Sequence, residues 1–432
     1  MKIAIAGYGI EGKSSYAYFR SLGHDVTILD QRPTVEGLSS GTLTVLGNEA
    51  FAHLDEYDMV VRTPSLPPRL LSGARKVWSA TNEFFAQCPA PIIGVTGSKG
   101  KGTTCSFIAG ILREAGLTVH LVGNIGLPAL DVLRDVTAND VVVYELSSFQ
   151  LWDIEKSPQV AVVLMIEADH LDIHADLKEY VDAKAAITRY QTNDNTAVYY
   201  QENQFSRTIG EASPGQKVPF PSELSAHVKG DSLYYGEQEL CLTKSLKLPG
   251  VHNLDNACAA IDAAWLFTQD VRAIEKGLGS FTGLPHRLKF VRDVDGASYY
   301  DDSIATTPGS VVAAIKAFDQ PKVLILGGSS KGKVDFDSIA IAASERNVKA
   351  VILIGKQADA IADVFAHTQV HSINLGLQTT MGKIVQIARD NAALGDVVIL
   401  SPACASFDMF KNYADRGDQF VAAVNALEDR TP

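Results

Sequence analysis

The sequence predicts an α/β protein of three domains, each with a mainly parallel sheet flanked by helices. Short runs of β-branched residues alternate with helical stretches along the whole chain, a pattern typical of parallel sheets covered by helices on both faces. A length of 432 residues is too long for one ordinary core and suggests about three domains. Two glycine-rich turns also lead from a predicted strand into a predicted helix, near residues 7 and 97.

The first predicted domain covers residues 1–89. Its strands are expected at KIAIAG, DVTILD, LTVLG and YDMVVR. The domain closes with the punctuated stretch RTPSLPP and a short helix before Cys88-Pro-Ala-Pro. We therefore expect the first boundary near residue 90.

The second predicted domain covers residues 90–283. Its strands are expected at PIIGVTG, VVVYELSS and VAVVLM, followed by an amphipathic helix from Asp176 to Tyr190. Residues 196–248 have the pattern of short strands and turns, and two helices are expected over residues 251–267 and 270–280. The sequence Thr-Gly-Leu-Pro at 282–285 breaks the pattern and marks the second boundary, near residue 284.

The third predicted domain covers residues 284–432 and repeats the theme. Its strands are expected at ASYYDDS, KVLILGG, KAVILIG and DVVILS, separated by stretches long enough for helices.

Composition excludes several classes of function. The formal net charge is −12 and no long basic run is present, which argues against a nucleic-acid or anionic-membrane partner. The five cysteines are far apart and form neither a zinc spacing nor a disulfide framework, as expected for a reducing cytosol. The chain opens directly on a predicted strand and has no long uninterrupted apolar run, so we expect a cytoplasmic protein.

The strongest single motif is GVTGSKGKGTT at residues 94–104, which runs from a predicted strand into a predicted helix. Backbone N–H groups of such a turn, together with the helix N-terminus, can point at phosphate oxygens while Lys101 neutralises charge. ATP is the expected ligand. The spacing departs from the strict Walker pattern because Val95 occupies the position of its first glycine, so an ordinary glycine-rich turn is the alternative.

Polar residues follow two further strands of the same block. Glu145 follows VVVY, and Asp169 and His170 follow VVLMIEA. Ligands bind at the carboxyl ends of strands in open parallel sheets, so these side chains suggest a magnesium and phosphate environment. Each residue taken singly is also compatible with a simple polar strand end, and Lys184 on the next helix with a solvated lysine.

The opening Gly7-Tyr-Gly-Ile-Glu-Gly12, followed by Asp30, resembles a dinucleotide fingerprint. Alone it would suggest an NAD-dependent oxidoreductase. That alternative leaves the loop around Lys101 without a purpose.

Taken together, the motifs resemble the Mur ligase family along the whole chain. The resemblance rests on TGSKGKGTT, GNIGLPAL, ELSSFQL, ADHLDIH, HNLDN, LPHR, DDSIATTP, GGSSKG and SPACASFDMFKNYADRG. The last segment is the most specific, and it resembles the branch that adds glutamate to a UDP-muramoyl-alanine precursor of the cell wall. The family implies a Rossmann-like N-terminal domain for the UDP sugar, a central P-loop ATPase-like domain, and a Rossmann-like C-terminal domain for the amino acid.

The resemblance also implies roles for individual residues. The implied catalytic residues are Lys101, Lys184, His170 and Arg287. The implied ATP site comprises Gly97, Ser98, Lys99, Gly100, Lys101, Gly102, Thr103, Asn253, Asn256, Arg287 and Asp302. The implied UDP-substrate site comprises Gly9, Ile10, Glu11, Asp30, Arg32, Asn124 and Ser147, and the implied glutamate site comprises Thr306, Lys331, Ser401 and Phe407.

The implied metal ligands are Thr103, Glu145, His170 and Lys184, around two magnesium ions. An unmodified ammonium beside a metal ion is unfavourable. In the family the matching lysine is carbamylated by carbon dioxide, which turns the cation into an anion. The expected partners are small molecules only, namely UDP-N-acetylmuramoyl-L-alanine, glutamate and ATP, bound by a monomer.

Two departures from the family pattern leave alternatives open. Gly102 follows the loop lysine where most relatives carry Ser or Thr, an arrangement also typical of the folylpolyglutamate synthetases. Ile304 and Thr307 occupy positions where D-glutamate ligases usually carry lysine and often asparagine, so an L-glutamate-adding relative is an alternative to D-glutamate. A non-catalytic protein that binds cell-wall precursors is the third alternative.

Overall fold

The chain divides into two compact units, Met1–Phe281 and Thr282–Pro432. The computed structural model describes residues 1–170, 173–248, 250–330 and 334–429. The predicted fold class is confirmed, with five-, six- and six-stranded sheets that are parallel apart from one edge strand and are covered by helices. The predicted boundaries near residues 90 and 284 stay a proposal, because the first falls inside one unit and the division falls after Phe281.

The first sheet is fully parallel and has the strand order β3-β2-β1-β4-β5. Its strands are β1 Lys2–Ala6, β2 Asp25–Asp30, β3 Leu43–Leu46, β4 Met59–Arg62 and β5 Val77–Ser79, with helices α1 Ile10–Ser21 and α2 Ala80–Gln87 and short 3-10 turns at Leu54–Glu56 and Pro68–Leu71. A Cβ on Gly12 would lie 2.1 Å from the carbonyl oxygen of Gly7. The fingerprint glycines therefore allow α1 to pack closely on the turn after β1.

The second sheet is also parallel, in the order β11-β10-β9-β6-β8-β7, and a small antiparallel sheet β12-β13-β14 follows it. The strands are β6 Ile92–Thr96, β7 Val119–Gly123, β8 Val141–Glu145, β9 Val160–Val163, β10 Thr196–Tyr200, β11 Gln216–Phe220, β12 Ala226–Lys229, β13 Ser232–Tyr235 and β14 Gln238–Leu242. The helices are α3 Lys101–Glu114, α4 Ala129–Val132, α5 Ser148–Leu151, α6 Leu177–Arg189, α7 Gln204–Glu211, α8 His252–Trp265 and α9 Val271–Ser280, with a 3-10 turn at Thr243–Ser245.

The central strands β6, β8 and β9 are almost wholly buried on both faces, as their continuous β-branched runs require. Since β6 pairs in parallel with both β8 and β9, their carboxyl ends meet at one edge of the sheet. Chain segments that leave this edge can therefore converge on one site.

The unit that starts at Thr282 contains the third sheet, in the order β15-β16-β20-β17-β18-β19, with only β15 antiparallel to its neighbour. Its strands are β15 Lys289–Val294, β16 Ala297–Asp301, β17 Lys322–Gly327, β18 Val348–Ile354, β19 His371–Gly376 and β20 Val397–Leu400. Its helices are α10 Pro308–Lys316, α11 Asp337–Glu345, α12 Ala358–Phe365, α13 Met381–Asn391 and α14 Tyr413–Asn425. Here β16 and β20 are parallel neighbours and end at paired residues, Asp301 and Leu400.

Four strands were not predicted from the sequence, namely β5, β7, β15 and β19. All four lie at the edges of their sheets. In the described part of the chain, no helix combines the length and apolar character needed to cross a bilayer.

Candidate active site

The glycine-rich loop leaves the carboxyl end of β6 and enters α3 at Lys101. Gly100 precedes the helix with a φ of +85°, in the left-handed region that favours glycine. A Cβ on Gly100 would lie 2.3 Å from Oδ1 of Asn256, and a Cβ on Gly97 would lie 2.7 Å from Cβ of Leu164. The predicted ATP residues Gly97 to Thr103 thus form one tight turn at the N-terminus of a long helix, a geometry suited to a phosphate.

Two lysine amines converge on this loop. Nζ of Lys101 donates to the carbonyl oxygens of Gly97 and Ser98, at 2.9 and 3.0 Å. Nζ of Lys184 donates to the same Gly97 oxygen at 2.9 Å. Lys99, by contrast, extends outward and pairs with Glu167 at 3.2 Å, with 76% of its side chain exposed. An anion bound at the loop would therefore meet Lys101 and Lys184 before Lys99.

Lys184 is a buried residue rather than a solvated surface lysine. Its relative exposure is 1%, and its Nζ lies 4.7 Å from the centre of the Tyr180 ring. Burial and the nearby Lys101 charge lower the pKa of Lys184 well below its usual value, while Asp169 and Glu145 oppose that shift. Both carboxylates are thus within electrostatic range of this amine.

Glu145 lies where the sequence predicted, as the last residue of β8, and it is 4% exposed. The prediction that Asp169 and His170 directly follow a strand is wrong, because β9 ends at Val163. Beyond Val163 the chain follows the phosphate loop instead, where Ser98 N donates to the carbonyl oxygen of Met165 at 2.9 Å.

His170 lies in the loop after β9, with a φ of +54° and its ring centre 5.0 Å from that of Phe149. Thr103 is half-buried in the first turn of α3. Within the described residues, no group of three or more His, Cys, Asp or Glu side chains is arranged to hold a metal ion. The predicted set of Thr103, Glu145, His170 and Lys184 stays a prediction.

Helix α8 places two residues of the predicted ATP site, Asn253 and Asn256, against the loop. Asn256 donates from Nδ2 to Oδ1 of Asn253 at 3.1 Å and accepts from the Thr104 hydroxyl at 3.3 Å. Both asparagines are buried. The structure thus brings Asn256 into contact with the phosphate loop, although the two segments are far apart in sequence.

Tyr180 is a candidate that sequence reasoning missed. Its hydroxyl lies 2.7 Å from Oγ of Ser98, and its ring lies beneath Lys184. Tyr180 and Lys184 are four residues apart on α6, a spacing that places them on one face of a helix. The spacing of four residues is the sequence feature from which Tyr180 could have been identified.

In the first sheet, the structure brings Asp30 and Arg32 together. Both carboxylate oxygens of Asp30 accept from the Arg32 guanidinium, at 2.9 and 2.6 Å, and Tyr8 N donates to Oδ2 at 2.8 Å. The hydrogen bonds from Arg32 lower the pKa of Asp30 to about 2. Gly9 and Ile10 lie exposed at the start of α1.

Glu11 faces the second sheet instead. Its Oε1 accepts from Nε2 of Gln150 at 2.7 Å, and burial raises the pKa of Glu11 to about 6. Gln150 in turn forms a capping box with Ser147 at the start of α5. Asn124 is exposed, and its backbone N–H donates to the carbonyl oxygen of Glu145 at 3.3 Å. The predicted UDP-substrate residues are therefore spread between the Asp30 pair and the region around Glu145.

Within the second unit, the structure joins Asp302 and Ser401. The Ser401 hydroxyl donates to Oδ2 of Asp302 at 2.7 Å, and Leu288 N donates to Oδ1 at 3.1 Å. Burial raises the pKa of the Asp302 carboxyl to about 7. The sequence assigned these residues to different ligands, so their direct contact was not expected.

Three further predicted residues of this unit lie at its surface. Arg287 and Thr306 are exposed, and Phe407 is 72% exposed. Lys331 lies outside the described residues.

Comparison with known proteins identifies the family of this chain. Residues 95–264 match the model of the Mur ligase middle domain, and residues 286–404 match that of the Mur ligase glutamate ligase domain. Proteins named UDP-N-acetylmuramoylalanine–D-glutamate ligase are 37% identical in Acetivibrio thermocellus and 36% in Symbiobacterium thermophilum. The alignments cover 99% of this chain in both cases, and 97% and 98% of those relatives.

Solved structures show the same fold at lower identity. The UDP-N-acetylmuramate-alanine ligase of Thermotoga maritima matches with a TM-score of 0.62 at 18% identity, over 99% of each chain. The Escherichia coli protein FolC matches with a TM-score of 0.57 at 18% identity, over 80% of this chain and 92% of that one. The predicted family is confirmed by the full-length relatives, and the chain belongs to the Mur ligase family.

Proposed function

We propose that this chain is an ATP-dependent ligase that joins D-glutamate to UDP-N-acetylmuramoyl-L-alanine during synthesis of peptidoglycan precursors. The observation that carries the proposal is 37% identity to a D-glutamate ligase over 99% of the chain. The aligned region covers 99% of the chain and so includes the segment with Ile304 and Thr307.

The first half of the reaction activates a carboxylate. The alanine carboxylate of the precursor attacks the γ-phosphorus of ATP, the bond to the β–γ bridging oxygen breaks, and an acyl phosphate and ADP result. The backbone N–H groups of the loop would hold the phosphates, with Lys101 and Arg287 facing the transferred group. Catalysis of this step rests on alignment and charge neutralisation rather than on covalent chemistry by the protein.

The second half forms the amide. The glutamate amine attacks the acyl carbon and loses a proton, and the tetrahedral intermediate expels inorganic phosphate. Ser401, Phe407, Thr306 and Lys331 are the residues proposed to hold glutamate, with Asp302 contacting the ribose of the nucleotide. The Asp302–Ser401 hydrogen bond of 2.7 Å supports a nucleotide site and an amino-acid site that adjoin each other.

Magnesium is expected to bind with ATP at two sites and to neutralise charge on the phosphates. Protein-bound magnesium often takes one or two carboxylates and completes its coordination with phosphates and water. The buried Glu145 at the end of β8 can supply one such carboxylate, and Thr103 and His170 are the other proposed ligands.

Lys184 is proposed to be carbamylated. The neutral amine adds to carbon dioxide, an N–C bond forms, and the nitrogen releases one proton to give a carbamate anion. The burial of Lys184 and its contact with the Gly97 oxygen support this proposal, because the amine is held beside the phosphate loop and away from water. A carbamate at this position would place an anion suited to magnesium next to Lys101.

The UDP end of the precursor is proposed to bind at the start of α1, near Gly9, Ile10, Glu11, Asp30 and Arg32, and to extend toward Asn124 and Ser147. The Glu11–Gln150 hydrogen bond supports this path, since it links α1 to α5. A monomer acting in the cytoplasm, where ATP is available, completes the proposal.

A ligation assay with separate glutamate enantiomers tests this function. Purified protein, UDP-N-acetylmuramoyl-L-alanine, ATP and magnesium should release phosphate and form the amide with D-glutamate, and not with L-glutamate. Product formation with L-glutamate alone would favour the L-glutamate-adding alternative, and turnover of a folate substrate would favour a folylpolyglutamate synthetase. Precursor binding without any ATP turnover would favour a non-catalytic protein.

A further inference from the structure

Arg287 lies in a turn whose backbone is held in an unusual conformation. His286 has a φ of +60° and Leu288 a φ of +43°, so both neighbours of Arg287 adopt the left-handed conformation. This conformation is uncommon for residues other than glycine, asparagine, aspartate and histidine, and at a leucine it persists only where surrounding contacts enforce it. The direction of the Arg287 side chain therefore depends on what holds its two neighbours.

The consecutive residues Asp301 and Asp302, at the end of β16, hold this turn from both sides. Oδ2 of Asp301 lies 2.7 Å from Nδ1 of His286, and the two side chains are 1% and 12% exposed. Oδ1 of Asp302 accepts from Leu288 N at 3.1 Å. Asp301 thus contacts the side chain of His286, and Asp302 accepts a hydrogen bond from the backbone of Leu288.

Helix α14 leaves room for the His286 ring. A Cβ on Gly417 would lie 2.0 Å from Nδ1 of His286 and 2.9 Å from Oδ2 of Asp301. The His286–Asp301 pair therefore requires a glycine at position 417, because any side chain there would take the space of the His286 ring. The backbone of His286 is fixed as well, because Ile304 N donates to its carbonyl oxygen at 3.0 Å.

We propose that the His286–Asp301 pair is a positioning device that fixes the direction of the Arg287 guanidinium, the group proposed to bind the terminal phosphate of ATP. The inference rests on the proposed function, in which Arg287 faces the transferred phosphate. His286 and Asp301 act through Arg287 and do not themselves touch the nucleotide. The pair therefore matters for ligands that carry a γ-phosphate and not for ADP.

The affinities for AMP-PNP and for ADP, measured by calorimetry with magnesium present, separate this role from a general structural one. His286→Ala should weaken AMP-PNP binding by about tenfold and leave ADP binding within about twofold, since a charge-assisted contact to the γ-phosphate is lost. His286→Asn should bind both ligands as the wild type does. Asparagine can donate to Asp301, and it tolerates the left-handed conformation.

A second substitution, in helix α14, disturbs the His286–Asp301 pair without changing either residue. Gly417→Ala should reproduce the selective loss of AMP-PNP affinity, because its Cβ displaces the His286 ring. Gly382→Ala in α13 is the matched control: it also replaces a helical glycine, but no atom lies within 4 Å of its Cβ, and it should leave both affinities unchanged.

The double variant His286→Ala/Arg287→Ala shows whether His286 acts through the arginine. It should bind AMP-PNP no more weakly than Arg287→Ala alone. An equal loss of ADP and AMP-PNP affinity in His286→Ala, or additive losses in the double variant, would overturn the positioning role. If Arg287→Ala leaves AMP-PNP affinity unchanged, both the role of Arg287 and this inference fail, whereas the proposed ligase activity is judged separately by product formation.

Discussion

Gly100→Ala is the substitution whose effect on the phosphate loop follows most directly from the geometry. The φ of +85° at this position costs an L-residue about 1–2 kcal/mol. The new Cβ would also lie 2.3 Å from Oδ1 of Asn256, so one of the two must withdraw by roughly 1 Å to reach normal contact. That movement strains the 3.3 Å hydrogen bond from Thr104 to Asn256, worth about 1 kcal/mol.

Gly116→Ala provides a matched control on the same helix. Gly116 has the same φ of +85° at the far end of α3, but no atom lies within 4 Å of its Cβ. Its substitution should carry only the backbone cost of about 1–2 kcal/mol. The difference between the two variants therefore isolates the contact with Asn256.

Urea unfolding and ADP titration calorimetry measure the two effects separately. Both variants should lose free energy of unfolding, with Gly100→Ala lower by about a further 1 kcal/mol. Only Gly100→Ala should weaken ADP binding, by about tenfold, because the loop and Asn256 move together. Equal ADP affinity in the two variants would refute the reasoning that this turn and Asn256 form the nucleotide site.

Three further predictions concern single side chains. Lys101→Ala should lower ATP-dependent phosphate release by about 100-fold or more, whereas Lys99→Ala should change it by less than about threefold; a coupled ADP assay distinguishes the two. The pKa of Asp302 is raised to about 7 in the folded state, so between about pH 4 and 7 the folded protein holds a proton on this carboxyl that the unfolded chain has lost. The proton stabilises the folded state fully below about pH 4, and this contribution to the free energy of unfolding is lost as the pH rises through 7. Urea unfolding should therefore show a decline over that window, on the order of 4 kcal/mol at most, that Asp302→Asn lacks. Arg62→Leu should lower the free energy of unfolding by about 3 kcal/mol, because it leaves Asp153 without its partner at 2.6 Å, and an unchanged denaturation midpoint would contradict this.

The strands that the sequence predicted are mostly those buried on both faces. Continuous β-branched runs such as Val141–Val143 and Val160–Val163 gave a clear signal because no polar face interrupts them. The missed strands β5, β7, β15 and β19 are edge strands. In β19 and β15 most side chains are exposed or half-buried, so their sequences lack that signal.

The motifs placed the glycine-rich loop between a strand and a helix and Glu145 at the end of a strand, as the structure has them, but they did not indicate the contacts between distant segments. The buried Lys184 donates to the Gly97 oxygen, and the Asp302–Ser401 contact joins the ends of two neighbouring strands. Neither follows from local propensity or spacing, because each depends on strand order in the folded sheet. The assignment of roles to these residues came from family resemblance and stays a proposal.

We propose above all that the loop at residues 97–103 binds the ATP phosphates with Lys101. A crystal structure with AMP-PNP and magnesium tests it directly. We predict phosphate oxygens against the backbone N–H groups of this loop, with Nζ of Lys101 moved from the carbonyl oxygens of Gly97 and Ser98 onto a phosphate. Nucleotide bound elsewhere, with Lys101 still on those two carbonyls, would contradict the account.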